Sequence, residues 1–302
     1  MLLLQQMLVL FGYMLVGYFL SKNHICGNEF STKMSWIILN IANPCMIIAG
    51  VADGDGTIKG GELLVTAGIA VAEFVILLLL SRLVVIIFKV PKEEQPVYKL
   101  MSVFTNMGYM GFPVVAAVYG NSALLYVAIF NIVSNIVAYS WGIATAAGGD
   151  GEKFDVKKIL NAGLLSTFAA IGIYLTGCPV PTFMKNFFSG WSNVTAPLSM
   201  TVIGISLAGF PIRELFTNVR LILFSLYKLI LIPILASLVV AQFVTNEVLL
   251  GVCMIMIATP VATIVGMFEQ QYGDQQELAA KGIALTTVLS VVTIPLVSAI
   301  VL

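Results

Sequence analysis

Ser102-Val103-Phe104-Thr105-Asn106-Met107-Gly108-Tyr109-Met110-Gly111-Phe112-Pro113 is apolar enough to cross a membrane, yet it is built to interrupt a helix. Glycine is loosely held in a helix and proline removes an amide donor, so two glycines and a proline beside Asn106 weaken the middle of the segment. A second stretch, Ala258-Thr259-Pro260-Val261-Ala262-Thr263-Ile264-Val265-Gly266, repeats the pattern late in the chain, with Pro260 as its breaker. Backbone groups freed at membrane depth persist only where protein buries them or a wet cavity receives them. A paired break in corresponding helices is the sequence mark of a transport site. A simple proline kink explains either break alone; two at matching places argue for more than a kink.

The rest of the chain agrees with a membrane setting. Apolar residues are 59% of the 302 positions and charged residues 10%, with a mean hydropathy of +1.01. Soluble domains are about 45–50% apolar and about 25% charged, which excludes a water-soluble fold. A net charge of zero argues against nucleic acid as a partner. Cys26, Cys45, Cys178 and Cys253 have no paired spacing, so neither a zinc site nor a disulfide framework is indicated, and no cofactor is expected. Segment Leu2 to Leu20 lacks a basic start and a small-residue cleavage site, and reads as a membrane helix that stays rather than a secretory signal.

A span needs about 20 apolar residues. Ten segments qualify: 2–21, 33–52, 62–88, 97–119, 121–147, 158–176, 194–211, 217–243, 247–268 and 278–300. Of the 15 Lys and Arg residues, only Lys59 and Lys185 belong to the even-numbered connectors; the rest lie in or beside the odd ones. Basic residues stay cytoplasmic, so both termini face away from the cytoplasm and the connector at 148–157 faces into it. The first span then enters from outside and the sixth from inside. The chain divides into two five-helix halves of opposite topology, 1–147 and 158–302, the usual build of secondary transporters.

These residues, in this order along ten spans, resemble the auxin efflux carrier family, which includes plant auxin exporters and bacterial carriers of malate or malonate type. The likeness rests on Asn106 through Pro113, on Ala258-Thr259-Pro260 with Gln271-Tyr272-Gly273, on Thr286-Thr287 and Ser290 closing on Pro295, and on Pro197 with Gly204. It covers essentially the whole length. It implies crossing of the fourth and ninth spans, a scaffold of spans 1, 2, 6 and 7, a mobile unit of the others, a homodimer and an elevator-like motion. Plant members place a proline just before the crossover asparagine; Thr105 stands there in this chain. Unwinding of the fourth span is therefore expected to rest on Gly108, Gly111 and Pro113.

Candidate site residues follow from this frame. Asn106 leads, because an amide both donates and accepts where backbone groups are also free; Thr105, Gly108, Pro260, Val261 and Thr263 surround the breaks. Asn131, Ser134, Asn135 and Tyr139 share one face of the fifth span by helical spacing. By resemblance Tyr139 matches the tyrosine that lines the auxin site of plant relatives, and Asn43 sits in a polar interruption of the opposite wall with Asn40 and Pro44. Positive ends of half-helices favour an anion without any arginine.

Glu73 and Lys228 stand deep in equivalent spans, and such residues are functional candidates. Either Glu73 exchanges protons during transport, or the two form a static pair that braces the mobile unit, or Lys228 snorkels to the interface. Lys228 is also the deep cation available to a dicarboxylate. The Asp53–Thr57 run reads as an acidic outer turn, since its later positions do not supply calcium ligands. The expected function is a carrier of a small organic anion, auxin-like or malate/malonate-like, in the cell membrane. The alternative is a cation/proton antiporter or sodium-coupled symporter on the same fold. An enzyme is not expected, because His24 lies in a connector and no nucleophile–base pair stands at depth.

Overall fold

A computed structural model describes residues 2–52, 60–148, 161–209 and 211–301. The acidic turn at 53–57 and nearly all of the central connector lie outside the described residues. The described chain is helical, in the order α1 Leu2–Lys22, α2 Glu29–Ala52, α3 Gly60–Ile87, α4 Gln95–Val103, α5 Met107–Tyr119, α6 Asn121–Ala146, α7 Ala162–Thr176, α8 Thr182–Ala208, α9 Val219–Val240, α10 Glu247–Ala258, α11 Thr263–Tyr272 and α12 Gln276–Val301. Six of them (α1, α2, α3, α6, α9 and α12) are long and apolar enough to cross a bilayer, and α5, α7 and α10 are shorter apolar helices. The chain is a multi-pass membrane protein. Its outer faces carry exposed Leu, Val, Ile and Phe, as a lipid-facing surface must.

The expected fourth and ninth spans are each two helices. α4 stops at Val103 and α5 begins at Met107; α10 stops at Ala258 and α11 begins at Thr263. The seventh span is longer than the apolar stretch 194–211 suggests. Pro181 sets the start of α8, and the twelve residues before Val194, with Lys185 and Asn186 among them, stay helical although their hydropathy is low. Pro197 passes inside α8 without ending it.

Proline accompanies three of the four wide turns among the described residues; the fourth, Ala138–Gly142 in α6, has none near it. Wide π-turns at Ile38–Ala42, Met107–Gly111 and Tyr227–Leu231 each precede a proline by two residues, at Pro44, Pro113 and Pro233. A proline ring collides with the carbonyl four residues back, and the wider turn swings that carbonyl aside. The helix continues at the cost of one backbone bond.

Packing follows a pattern. α1 lies along α8, and α2 lies along α7 and α8. α1 and α8 approach almost backbone to backbone: a Cβ on Gly204 would fall on the Met14 carbonyl oxygen, and one on Gly17 would fall on that of Thr201. Small residues permit such contact between membrane helices, where dispersion replaces the hydrophobic drive. On the other side, α3 packs on α4 and α6, α9 on α10 and α12, and α11 on α12.

Candidate functional site

The two breaks meet. Thr105 and Val261 form an isolated antiparallel bridge, with the Asn106 amide donating to the Pro260 carbonyl (2.8 Å) and the Ala262 amide to that of Phe104 (3.1 Å). Each break therefore satisfies the other's backbone, the accounting that unwound chain at depth demands. Phe104 (φ −91°, ψ 120°) and Thr259 (φ −64°, ψ 150°) carry the chain out of helix. This corrects the expectation for the first break: Gly108, Gly111 and Pro113 all lie inside α5, and the unwinding covers Phe104 to Asn106. It rests on hydrogen bonds from the other break rather than on glycine freedom.

Side chains finish the crossing. The Asn106 Oδ1 caps α5 by accepting from the Tyr109 amide (3.3 Å). Thr286 of α12 holds the second break, its hydroxyl oxygen accepting from the Val261 amide (3.1 Å). Asn43 of α2 reaches across and donates to the Gly108 carbonyl (2.9 Å).

Beside the crossing lies a cavity of about 310 Å³. It is lined by Asn40 and Asn43 from α2, Thr105 to Tyr109 and Phe112 at the first break, Asn131, Ser134, Asn135 and Tyr139 from α6, Asn161 and Gly163 at the start of α7, and Ala262 to Ile264 with Met267 from α11. Eight of the sequence candidates are thus brought together: Asn43, Thr105, Asn106, Gly108, Asn131, Asn135, Tyr139 and Thr263. Pro260 and Val261 are not on the wall; they lie behind it and build the crossing. Three buried polar atoms among the lining residues have no partner: Asn106 Nδ2, Thr105 Oγ1 and Asn43 Oδ1. Buried polar groups are rarely left so, and all three belong to residues of the cavity wall. The N-termini of α5, α7 and α11, the positive ends of their helix dipoles, also lie at the wall, with the Tyr109 and Leu164 amides already taken by the Asn106 and Asn161 caps. Among the described residues no charged side chain lines it.

Asn161 escaped the sequence reading. Its side chain caps α7 by accepting from the Leu164 amide (2.9 Å), and an asparagine just before the apolar run Ala162–Leu165 is the signal that marks it. Tyr139 stacks edge-on to Phe268 (6.4 Å), which fixes the cavity's aromatic end.

Glu73 and Lys228 stand elsewhere. Lys228 is 3% exposed in the wide turn of α9, and its Nζ donates to the Ser102 carbonyl (3.2 Å) in the last turn of α4. There a cation meets the negative end of a half-helix. Lys228 is not among the residues that line the cavity, and its ammonium does not snorkel to water. Glu73 lies near enough to Lys228 to feel its charge, although no contact within 4.0 Å joins them, and its Oε1 is buried without a partner.

Crossed, mutually bonded helix breaks beside a polar cavity in a multi-pass membrane protein define a transporter of the broken-helix class. The chain belongs to the auxin efflux carrier family: the model of that family, described as membrane transport protein, matches residues 2–157 and 150–298. It is 27% identical to a Rhizobium meliloti protein named "Putative malonate transporter", over 63% of this chain and 62% of that one, so the match spans somewhat under two thirds of that relative's length. Uncharacterized transporters of Methanothermobacter thermautotrophicus and Methanocaldococcus jannaschii are 20% and 25% identical over 93% and 96% of each chain. The protein is a transporter, not an enzyme.

Proposed function

We propose that this protein is a secondary carrier that moves a small organic anion, an auxin-like monocarboxylate or a malonate-like dicarboxylate, by alternating access. The observation that carries the reading is the buried, unpartnered Nδ2 of Asn106, a residue that lines, together with three helix N-termini, a cavity without acidic side chains among the described residues. An amide donor and helix ends hold a carboxylate without a formal counter-charge. The relative named for malonate supports the substrate class.

The packing pattern supports two inverted halves, 1–147 and 158–302, joined through 148–157. The intimate pair α1 with α8 has its counterpart in α7 with α2, and α3 with α4 has its counterpart in α9 with α10. In this arrangement α1, α2, α7 and α8 form a scaffold against which the crossing and its neighbours slide as an elevator. The chain works as a homodimer in the cell membrane with both termini outside, an orientation supported by the Lys and Arg distribution. The alternative, a cation/proton antiporter or sodium-coupled symporter, needs carboxylates at the crossing to hold the ion; the described wall has only neutral amides and hydroxyls.

Uptake into proteoliposomes of a panel of mono- and dicarboxylates, with and without a proton or sodium gradient, tests the reading. Saturable anion uptake lost in Asn106→Ala supports it; normal uptake of every transported anion by Asn106→Ala removes the crossing from the binding site. Gradient-driven uptake that survives in Glu73→Gln removes Glu73 from proton coupling.

A further inference from the structure

The molecule has two seams between its close helix pairs and the crossing, and one of them is shut. The open one is the cavity, bounded by α2 and α7 on one side and by α5, α6 and α11 on the other. The inverted-repeat reading above, on which this inference rests, makes α8 equivalent to α2, α1 to α7 and α12 to α6. The place equivalent to the cavity is therefore the seam where α1 and α8 meet α5 and α12. A gap of only about 10 Å³ lies at that place.

Methionine dominates it. Met7, Met14, Met110 and Met200 are four of its eight lining residues, in a chain with 13 methionines in 302 positions. All four are at most 4% exposed. An unbranched thioether side chain has three rotatable bonds and repacks without a fixed partner shape, as a contact that must part and re-form requires. The hydroxyls nearby bond mainly within α12: Thr287 donates to the Ile283 carbonyl (2.7 Å), and Ser290 Oγ lies 2.7 Å from the Thr287 carbonyl and 3.7 Å from the Met110 sulfur across the seam.

We propose that this methionine-lined seam is the second vestibule of the transport route, which opens as the asparagine-lined cavity closes. The two vestibules then differ in kind. The cavity meets the anion with amides, whereas the seam offers its apolar body a surface and its carboxylate no amide or cation.

Single cysteines in a chain freed of Cys26, Cys45, Cys178 and Cys253 by alanine test the assignment. A membrane-impermeant maleimide is applied to either face of vesicles holding the full-length protein with Asn135→Cys, Met200→Cys, Thr287→Cys or, as a buried control, Ala128→Cys. Asn135→Cys is expected to label from one face only. Met200→Cys and Thr287→Cys are expected to label from the opposite face only, roughly ten- to a thousand-fold more slowly, because a minor conformer is populated at about 0.1–10%. Labelling of both seam cysteines from the same face as Asn135→Cys, or no faster than Ala128→Cys, overturns the proposal. Two seam positions guard against one variant failing to fold. Failure of Asn135→Cys to label from either face would instead strike the cavity itself, and so the function proposed above.

Discussion

The two helix breaks do the same work with different materials. The second uses Pro260, which cannot donate an amide, and a hydroxyl from α12 that accepts from Val261. The first uses no proline at all before its asparagine, and is held by Asn106 capping α5 and by Lys228 at the end of α4. Between them run the two backbone bonds of the crossing. A break at membrane depth is therefore not caused by a breaker residue; it is made affordable by partners for the backbone it frees. The partners also divide the chemistry. At the first break the carbonyl end of α4 points to a buried cation, while the amide end of α5 points to the cavity.

Removing the cation should have the largest effect. Lys228→Met leaves the Ser102 carbonyl without its donor and removes the buried positive charge that acts on Glu73, and each buried polar group left unpaired costs about 1–3 kcal/mol. Thermal unfolding in detergent should show that loss, with little folded protein recovered. Adding Glu73→Gln to Lys228→Met should restore a substantial part. If the double variant is as unstable as the single, the two groups do not act together and the first break is held by the Ser102 contact alone.

Asn106→Asp separates the two jobs of one residue. Aspartate caps a helix as well as asparagine does, so the break should still form, with the unfolding temperature lowered by the cost of a buried carboxylate. Its carboxylate replaces the free Nδ2 donor, however, and repels an anion. Loss of a charge-assisted hydrogen bond is worth about 1.5–3 kcal/mol, or roughly a ten- to 150-fold drop in uptake efficiency. Asn106→Ala should lose both uptake and about 1 kcal/mol of stability. Parent-like uptake by Asn106→Asp would show that the side chain only builds the break.

Thr286→Val probes the second break in the same currency. The valine fills the space but cannot accept from the Val261 amide, and an orphaned buried donor costs about 1–3 kcal/mol. Because Thr286 stands behind the wall, stability should fall while the half-saturation for anion changes less than in Asn106→Asp.

How much of this was legible beforehand follows from the same physics. Hydropathy and glycine or proline placement located both breaks, and helical spacing put Asn131, Ser134, Asn135 and Tyr139 on one face, where the cavity is. The point of unwinding was not legible. It depends on hydrogen bonds between residues far apart in the chain, Asn106 with Pro260 and Ala262 with Phe104, which no local pattern encodes. Lys228 was visible as a deep cation, but its service to the Ser102 carbonyl rather than to the cavity is a tertiary fact. Asn161 carries the local mark of a cap, but hydropathy alone sets the start of the expected span at 158 and so places Asn161 inside the helix rather than at its end.

The smallest effect is also the most direct test of whether a proline matters at all. Phe104 already holds the extended conformation (φ −91°, ψ 120°) that a residue before proline must adopt. The bridge at this position uses the carbonyl of Phe104 and the amide of Asn106, so Thr105 contributes no amide bond to it. Thr105→Pro, which restores the plant arrangement, should therefore fold, and should stabilise by about 0.4–1 kcal/mol by restricting the unfolded chain. The Thr105 hydroxyl is a free polar atom on the cavity wall, so its loss should show as a change in half-saturation rather than in folding. A destabilised Thr105→Pro would mean that the first break needs a freedom which proline denies, and that the two breaks are alike in outline only.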